Sequence, residues 1–148
     1  MTRRMLTALV ALVGLFVAMY LALYKAGAIG TLACGTGGCE TVQLSHWSVF
    51  LGLSVASWGV GFYALVFGVA FAGTTERFAA SKPLALFMLV LTAWGVIFSG
   101  WLTYLELFVI HAICRWCVGS ACIAVALFVL TLLDRRSTAL RSEAGSGV

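Results

Sequence analysis

Apolar residues fall into four long runs separated by short polar punctuation. The first extends from Met5 to Tyr24 without a charge, the second from Trp47 to Ala72, and the third from Leu84 to Leu105. The fourth starts near Ile110 and ends at Leu133, where Asp134-Arg135-Arg136 closes it. Each run is close to the ~20 residues a helix needs to cross a bilayer. Pro83 stands where the first turn of a helix accepts it. The pattern predicts an all-α integral membrane protein, a four-transmembrane-helix bundle with helices at about 5–24, 47–72, 84–105 and 110–133. Residues 1–133 would form the membrane domain, and the small, polar residues 134–148 a disordered tail. The basic start and Ala26-Gly27-Ala28 imitate a signal peptide, but the first run is longer than the roughly 7–15 residues of such a segment. It is expected to stay as a helix.

Composition agrees. The 148 residues are 63% hydrophobic and 9% charged, with a mean hydropathy of +1.10. Soluble domains carry roughly 25% charged residues. The net charge of +4 comes from basic residues at the ends of apolar runs, with no basic stripe interleaved with aromatics, so nucleic acid is excluded as a partner. Four spans put both termini on one side. That side holds Arg3, Arg4, Arg77, Lys82, Arg135, Arg136 and Arg141, against Lys25 and Arg115 on the other. The positive-inside rule makes the termini and the tail cytoplasmic and turns the first and third connections outward.

That orientation decides how the cysteines are read. Cys34 and Cys39 lie in the first outer loop, and Cys114 and Cys117 form a Cys-x-x-Cys where the fourth run begins. Outside the cytosol, paired cysteines point to disulfide chemistry. Three glycines among the four residues between Cys34 and Cys39 make that segment deformable, which suits a disulfide that opens and swings better than a permanent staple. Cys114 and Cys117 share one helix face, and a helix N-terminus beside Arg115 favours a thiolate there. A bridge within one turn is strained, and strained bridges are the labile ones. A zinc site shared by the two pairs is the weaker reading, and no metal is assigned. Cys122 is expected to be buried as a small hydrophobe. Ser45 is a candidate helix cap or loop-orienting hydroxyl. Glu106, His111 and Arg115 are expected to pair at the interface, with His111 a weaker candidate for a proton relay. Trp47, Trp101, Tyr104 and Trp116 suit an aromatic belt, and some of them also qualify to line a flat aromatic pocket. Gly52, Gly59, Gly61, Gly95 and Gly100 are expected at close helix contacts.

Taken together, Cys34 and Cys39 in the first loop, Ser45 six residues on, Trp47, Ser54-Val-Ala-Ser57-Trp-Gly59, Tyr63, and the Cys-x-x-Cys opening the last helix resemble the bacterial type of the vitamin K epoxide reductase (VKOR) family. The resemblance runs from about Arg3 to Leu133 and implies a four-helix bundle around a quinone in a prokaryotic plasma membrane. Cys34 would exchange with a thioredoxin-fold, DsbA-like partner, Cys39 would relay to Cys114, and Cys117 would lie against the quinone. Ser45 matches the family's loop serine, and Trp47, Tyr63 and Trp116 would complete the pocket. Eukaryotic members hold the quinone with an Asn and a Tyr; this chain has no asparagine, and Ala121 stands at the tyrosine's position. A respiratory quinone of the ubiquinone or menaquinone class, drawn from the membrane pool, is therefore implied rather than vitamin K epoxide. Fifteen residues follow Leu133, so the partner would be a separate protein. The expected activity is thiol:quinone oxidoreduction that re-oxidises that partner. The rival readings are a DsbB-type oxidase of different architecture, a soft-metal-binding membrane protein, and a structural subunit with inert disulfides.

Overall fold

In the computed structural model, which describes residues 3–35 and 37–146, four helices are long and apolar enough to cross a membrane. α1 covers Arg3–Lys25, α3 covers Val55–Ala72, α5 covers Lys82–Leu105 and α6 covers Arg115–Ser146. Two short helices, α2 (Gly38–Leu44) and α4 (Glu76–Ala79), lie in the connections. α1 is the central post, packing against α3 and α6, while α5 lies along α6. Its buried stripe is made of small residues, Ala8, Ala11, Gly14 and Ala18, which let neighbouring backbones approach where lipid offers no hydrophobic drive. Tyr63 and Val66 of α3, Met88 of α5 and Leu127 of α6 close over that stripe. The outward faces, such as Leu9, Val13 and Phe16 on α1, remain exposed and apolar, as lipid contact requires.

The end of the bundle that carries the termini is tied by arginines. Arg4 Nε donates to Asp134 Oδ2 at 3.0 Å and its Nη1 to the Gly73 carbonyl at 2.9 Å, while Arg3 Nη1 reaches the Leu133 carbonyl at 2.6 Å. The Arg4 cation on the Gly73 carbonyl, at the C-cap of α3, also complements that helix's dipole. The opposite end holds the cysteines.

The second apolar run does not form one helix from Trp47. A 3₁₀ turn at His46–Ser48 leads into a small antiparallel hairpin that pairs Val49 with Ser54 and Phe50 with Leu53. Leu51 and Gly52, with φ of 53° and 81°, make its turn; two consecutive left-handed residues match strand twist in a two-residue hairpin. Helix α3 starts only at Val55, with Ser54 as the cap, its side chain accepting the Ser57 N–H at 3.1 Å. Ser45 is therefore not the cap of this helix. Its hydroxyl donates to the Val42 carbonyl at 2.7 Å and closes the end of α2.

Two further boundaries depart from the expected ones. α6 begins at Arg115 rather than near Ile110, and it continues to Ser146 where a disordered tail was expected. Ala139, Leu140, Arg141 and Glu143 are good helix formers, no glycine lies between Leu133 and Gly145, and Ser137 and Thr138 bond back to the Asp134 carbonyl. The last two residues of that expected tail, 147–148, lie outside the described residues. Cys122 is exposed on α6 instead of buried. Of the glycines expected at helix contacts, Gly59 meets Ala18 and Gly95 meets Phe62; Gly61 and Gly100 face open space and Gly52 serves the hairpin turn.

A Cβ at Gly14 would collide with the Tyr63 ring, whereas one at Gly100 would meet nothing. Gly14→Ala should lower stability in detergent by about 1–3 kcal/mol through overpacking, although alanine is the better helix former. Gly100→Ala should leave the thermal midpoint unchanged or raise it. Equal midpoints for the two variants would contradict the close packing of α1 on α3.

Candidate functional site

The last turn of α5 widens into a π turn, Glu106–Ile110, which stops at His111 with φ of 55°. Such turns recur at functional sites. Here the widening lets the chain double back after Leu105, so that the Glu106 carboxyl lies buried beneath the start of α6. Glu106 Oε2 accepts the Cys114 N–H at 3.1 Å, and the carboxyl also meets the Cys117 thiol. The interfacial ion pairing expected for Glu106 is thus not what is found. His111 and Arg115 are exposed, and the ion pair among the described residues, Arg4 with Asp134, lies at the other end of the bundle.

Cys114 occupies the position of a helix N-cap. Its sulfur accepts the Cys117 backbone N–H at 3.3 Å, the contact a serine or aspartate cap makes with the third residue of a helix. The positive end of α6 therefore falls on Cys114 rather than on both cysteines alike. The Cys114 thiol is held below the ordinary cysteine value, first by the hydrogen bond from the Cys117 thiol. The N–H groups of the opening turn help, against the opposing effects of burial and of Glu106.

The outer pair meets this turn from the other side. Cys34 and Cys39 are joined in a disulfide with Cα atoms 6.1 Å apart, while Cys114 and Cys117 are unbridged. Cys39 is the second residue of α2, and Gly38 before it lies so close to the Ile113 carbonyl that any Cβ there would clash. That approach presses α2 onto the residue preceding Cys114. As a result Cys34, Cys39 and Cys114 share one buried cluster, with Cys117 packed against it, and both Cys39 and Cys114 are fully buried. Ala33, next to Cys34, is held from two helices. Its N–H donates to the Tyr20 hydroxyl at 3.0 Å, and its carbonyl accepts Trp116 Nε1 at 3.2 Å. Lys25 Nζ bonds the Gln43 carbonyl at 2.5 Å and Ser48 Oγ at 2.7 Å, fixing the far end of α2 to α1.

Beneath the cysteines, between α3 and α5, lies a cavity of about 570 Å³. Most of its wall is apolar and aromatic, including Phe50, Trp58, Phe62, Trp94 and Phe98, while Cys117, Gln43 and Glu106 supply polar groups at the cysteine end. Size and lining suit a flat, mostly apolar ligand with a few polar atoms. Gln43 is buried, and its Nε2 approaches Cys117 Sγ at 3.6 Å. Tyr63 is in the wall as expected, its hydroxyl donating to the Ser120 carbonyl at 2.7 Å.

The structure thus brings together Cys34, Cys39, Cys114, Cys117 and Tyr63. It does not bring Trp47 or Trp116 to the cavity. Trp47 stands in the exposed 3₁₀ turn with its ring edge-on to His46, and Trp116 packs on Tyr20, the ring centroids 5.1 Å apart. Ser45 shapes the end of α2 without touching a sulfur. Glu106 and Gln43 were not singled out as site residues. The available signal for Glu106 was an acid closing an apolar run, because ionisable groups inside membranes are costly and mark function; Gln43, in the polar first loop, carried none.

Cys114 should be alkylated with a pH profile that levels off below that of a free thiol, roughly 8.5, because its thiolate is favoured. Cys117→Ala removes the thiol donor and should move the inflection upward; an unmoved inflection contradicts that contact. Gly38→Val should push α2 off Ile113 and slow exchange between the two cysteine pairs by at least ~10-fold, the cost of about 1.4 kcal/mol of misplacement. Peptide mapping of disulfides over time measures this.

Compared with known families, the chain matches the model described as the vitamin K epoxide reductase family over residues 5–132. No curated protein matches it.

Proposed function

The chain belongs to the vitamin K epoxide reductase family and is a multi-pass membrane thiol–disulfide oxidoreductase; from that premise we propose that it oxidises a separate thioredoxin-fold protein and passes the electrons to a membrane quinone. The observation that carries this reading is the burial of Cys39 with Cys114 in one cluster while Cys117 walls an apolar cavity. Sulfurs that must exchange share one buried cluster, and the last of them borders a space fit for a lipid-soluble acceptor.

The residues suggest the following sequence. A quinone, when bound, supplies the sink for two electrons and two protons as the Cys114–Cys117 bond closes. The aromatic rings of Trp58, Phe62 and Phe98 would hold it flat, with Gln43 and Glu106 as its polar contacts. A partner thiolate then attacks Cys34, the less deeply buried member of the outer bridge, and Cys39 leaves as a thiolate. The partner's second thiol attacks the mixed disulfide, which releases Cys34 reduced and the partner oxidised. Cys39 attacks Cys114, and Cys117 departs. Cys34 finally attacks Cys39, re-forming the outer bridge and expelling Cys114 as a thiolate. Low-pKa thiols leave faster, so the helix cap at Cys114 favours this last step.

The seven basic residues on the side of the termini support an orientation with that side in the cytoplasm of a prokaryotic cell. The cysteines would then face an oxidising compartment, where disulfides persist.

Anaerobic mixing of the detergent-purified protein with a reduced thioredoxin-fold protein and a ubiquinone or menaquinone analogue tests the reading. It should yield one quinol per partner disulfide. Cys117→Ala should form no quinol yet leave a mixed disulfide that can be trapped on Cys34. Quinol formation by that variant at the normal rate would remove Cys117 from its role, and none in the unaltered protein would refute the quinone.

A further inference from the structure

Oxidising a dithiol moves protons as well as electrons, and half-buried Cys117 borders a mostly apolar cavity that offers its proton few acceptors. Two polar side chains bracket that sulfur. Gln43 points its amide N–H at Sγ from α2, 3.6 Å away, and the Glu106 carboxyl meets the thiol from the π turn of α5. Glu106 is only 4% exposed and lines the same cavity as Cys117. Acidic groups at such depth mark proton relays in membrane proteins.

We propose that Glu106 is the catalytic base of the inner pair, taking the proton of the Cys117 thiol and delivering it to the oxygen of the electron acceptor in the cavity. This deepens the quinone reading and rests on it. The chemistry balances as follows. Glu106 carboxylate removes the Cys117 proton, and the Gln43 N–H stabilises the thiolate left behind. As the S–S bond between Cys114 and Cys117 forms, two electrons leave the sulfurs for the quinone. The proton held on Glu106 goes to one quinone oxygen. The other oxygen takes the proton that Cys114, the more readily ionised thiol, has already given up through the same carboxyl, giving quinol and returning Glu106 to its starting charge. The Cys114 N–H bond to Glu106 Oε2 keeps the carboxyl aimed at the pair throughout.

The other ionisable groups near Glu106 are few. On α6 and just before it they are the Cys114 and Cys117 thiols. On α3 the Tyr63 phenol lines the same cavity, bonded to Ser120. From α2 comes uncharged Gln43, whose carbonyl carries the Lys25 ammonium on its far side. From α5 itself comes the uncharged Thr103.

The test uses Glu106→Gln and Glu106→Asp in the full-length protein in detergent, with two readouts. The first is single-turnover oxidation of the inner dithiol by a quinone analogue across pH. The second needs no quinone: the rate at which Cys117 reacts with a small maleimide, read by peptide mass. Loss of a positioned base should slow E106Q by ~100-fold or more in the first readout and remove the Glu106 inflection from the pH profile of both. E106D should recover part of the rate and keep an inflection. Mixed-disulfide trapping on Cys34 should be unchanged in E106Q, because that step is remote from Glu106. Wild-type rates and profiles in E106Q overturn the proposal. If the unaltered protein makes no quinol, the quinone reading fails, while the maleimide profile still decides whether Glu106 deprotonates Cys117. Should E106Q fail to assemble, the infrared difference between oxidised and reduced inner pair decides. A carboxyl band that changes with the dithiol and shifts in E106D supports the proposal, and an unchanged carboxyl region overturns it.

Discussion

Thiol–disulfide exchange needs one sulfur to reach another along the bond it breaks, so the chemistry depends on a single contact: α2 seated on the backbone at Ile113. Gly38 makes that seat possible, since any side chain there would strike the Ile113 carbonyl. With α2 in place, Cys39 and Cys114 come from distant parts of the chain into one buried cluster. The surrounding features preserve the seat. Lys25 fixes the end of α2 to α1, Tyr20 and Trp116 hold Ala33 from both sides, and the π turn sets the height at which α6 begins.

The same arrangement separates two routes. On the outer side of the cluster the Cys34–Cys39 bridge sits in a loop whose glycines Gly35 and Gly37 take left-handed φ angles, where another residue would be strained. On the inner side Cys117 faces an apolar cavity enclosed by α3, α5 and the hairpin. Helix-end electrostatics are assigned to Cys114, whereas Cys117 is served by side chains, Gln43 and Glu106. A dithiol whose two members have different environments can give up its protons in a defined order.

Much of this was legible in the chain. Four apolar runs identify four spanning helices because hydrocarbon leaves the backbone little else to form, and the two cysteine pairs that the spacing singles out do meet in the structure. The family resemblance drawn from those residues agrees with the family model. What was hidden follows from physical causes. Residues 47–54 are as apolar as a helix, and only the left-handed pair Leu51-Gly52 reveals a hairpin; Leu-Gly is a weak turn signal beside Asn-Gly. Trp47 and Trp116 have the composition of an aromatic pocket but do not line the cavity, since aromatic content says nothing about which face a ring takes. Glu106 reads as an interfacial charge because it ends an apolar run, and only the π turn carries it inward. The tail was expected to be disordered from its polarity, although its helix propensity is high.

The most direct measurement is oxidation of a Cys34→Ala, Cys117→Ala double variant, which leaves Cys39 and Cys114 without their own partners. If the relay runs through these two sulfurs, mild oxidation should join Cys39 to Cys114 in near-quantitative yield, seen as a single cross-linked peptide. If both remain alkylatable under conditions that close Cys34–Cys39 in the unaltered protein, the two pairs do not communicate and the relay is wrong.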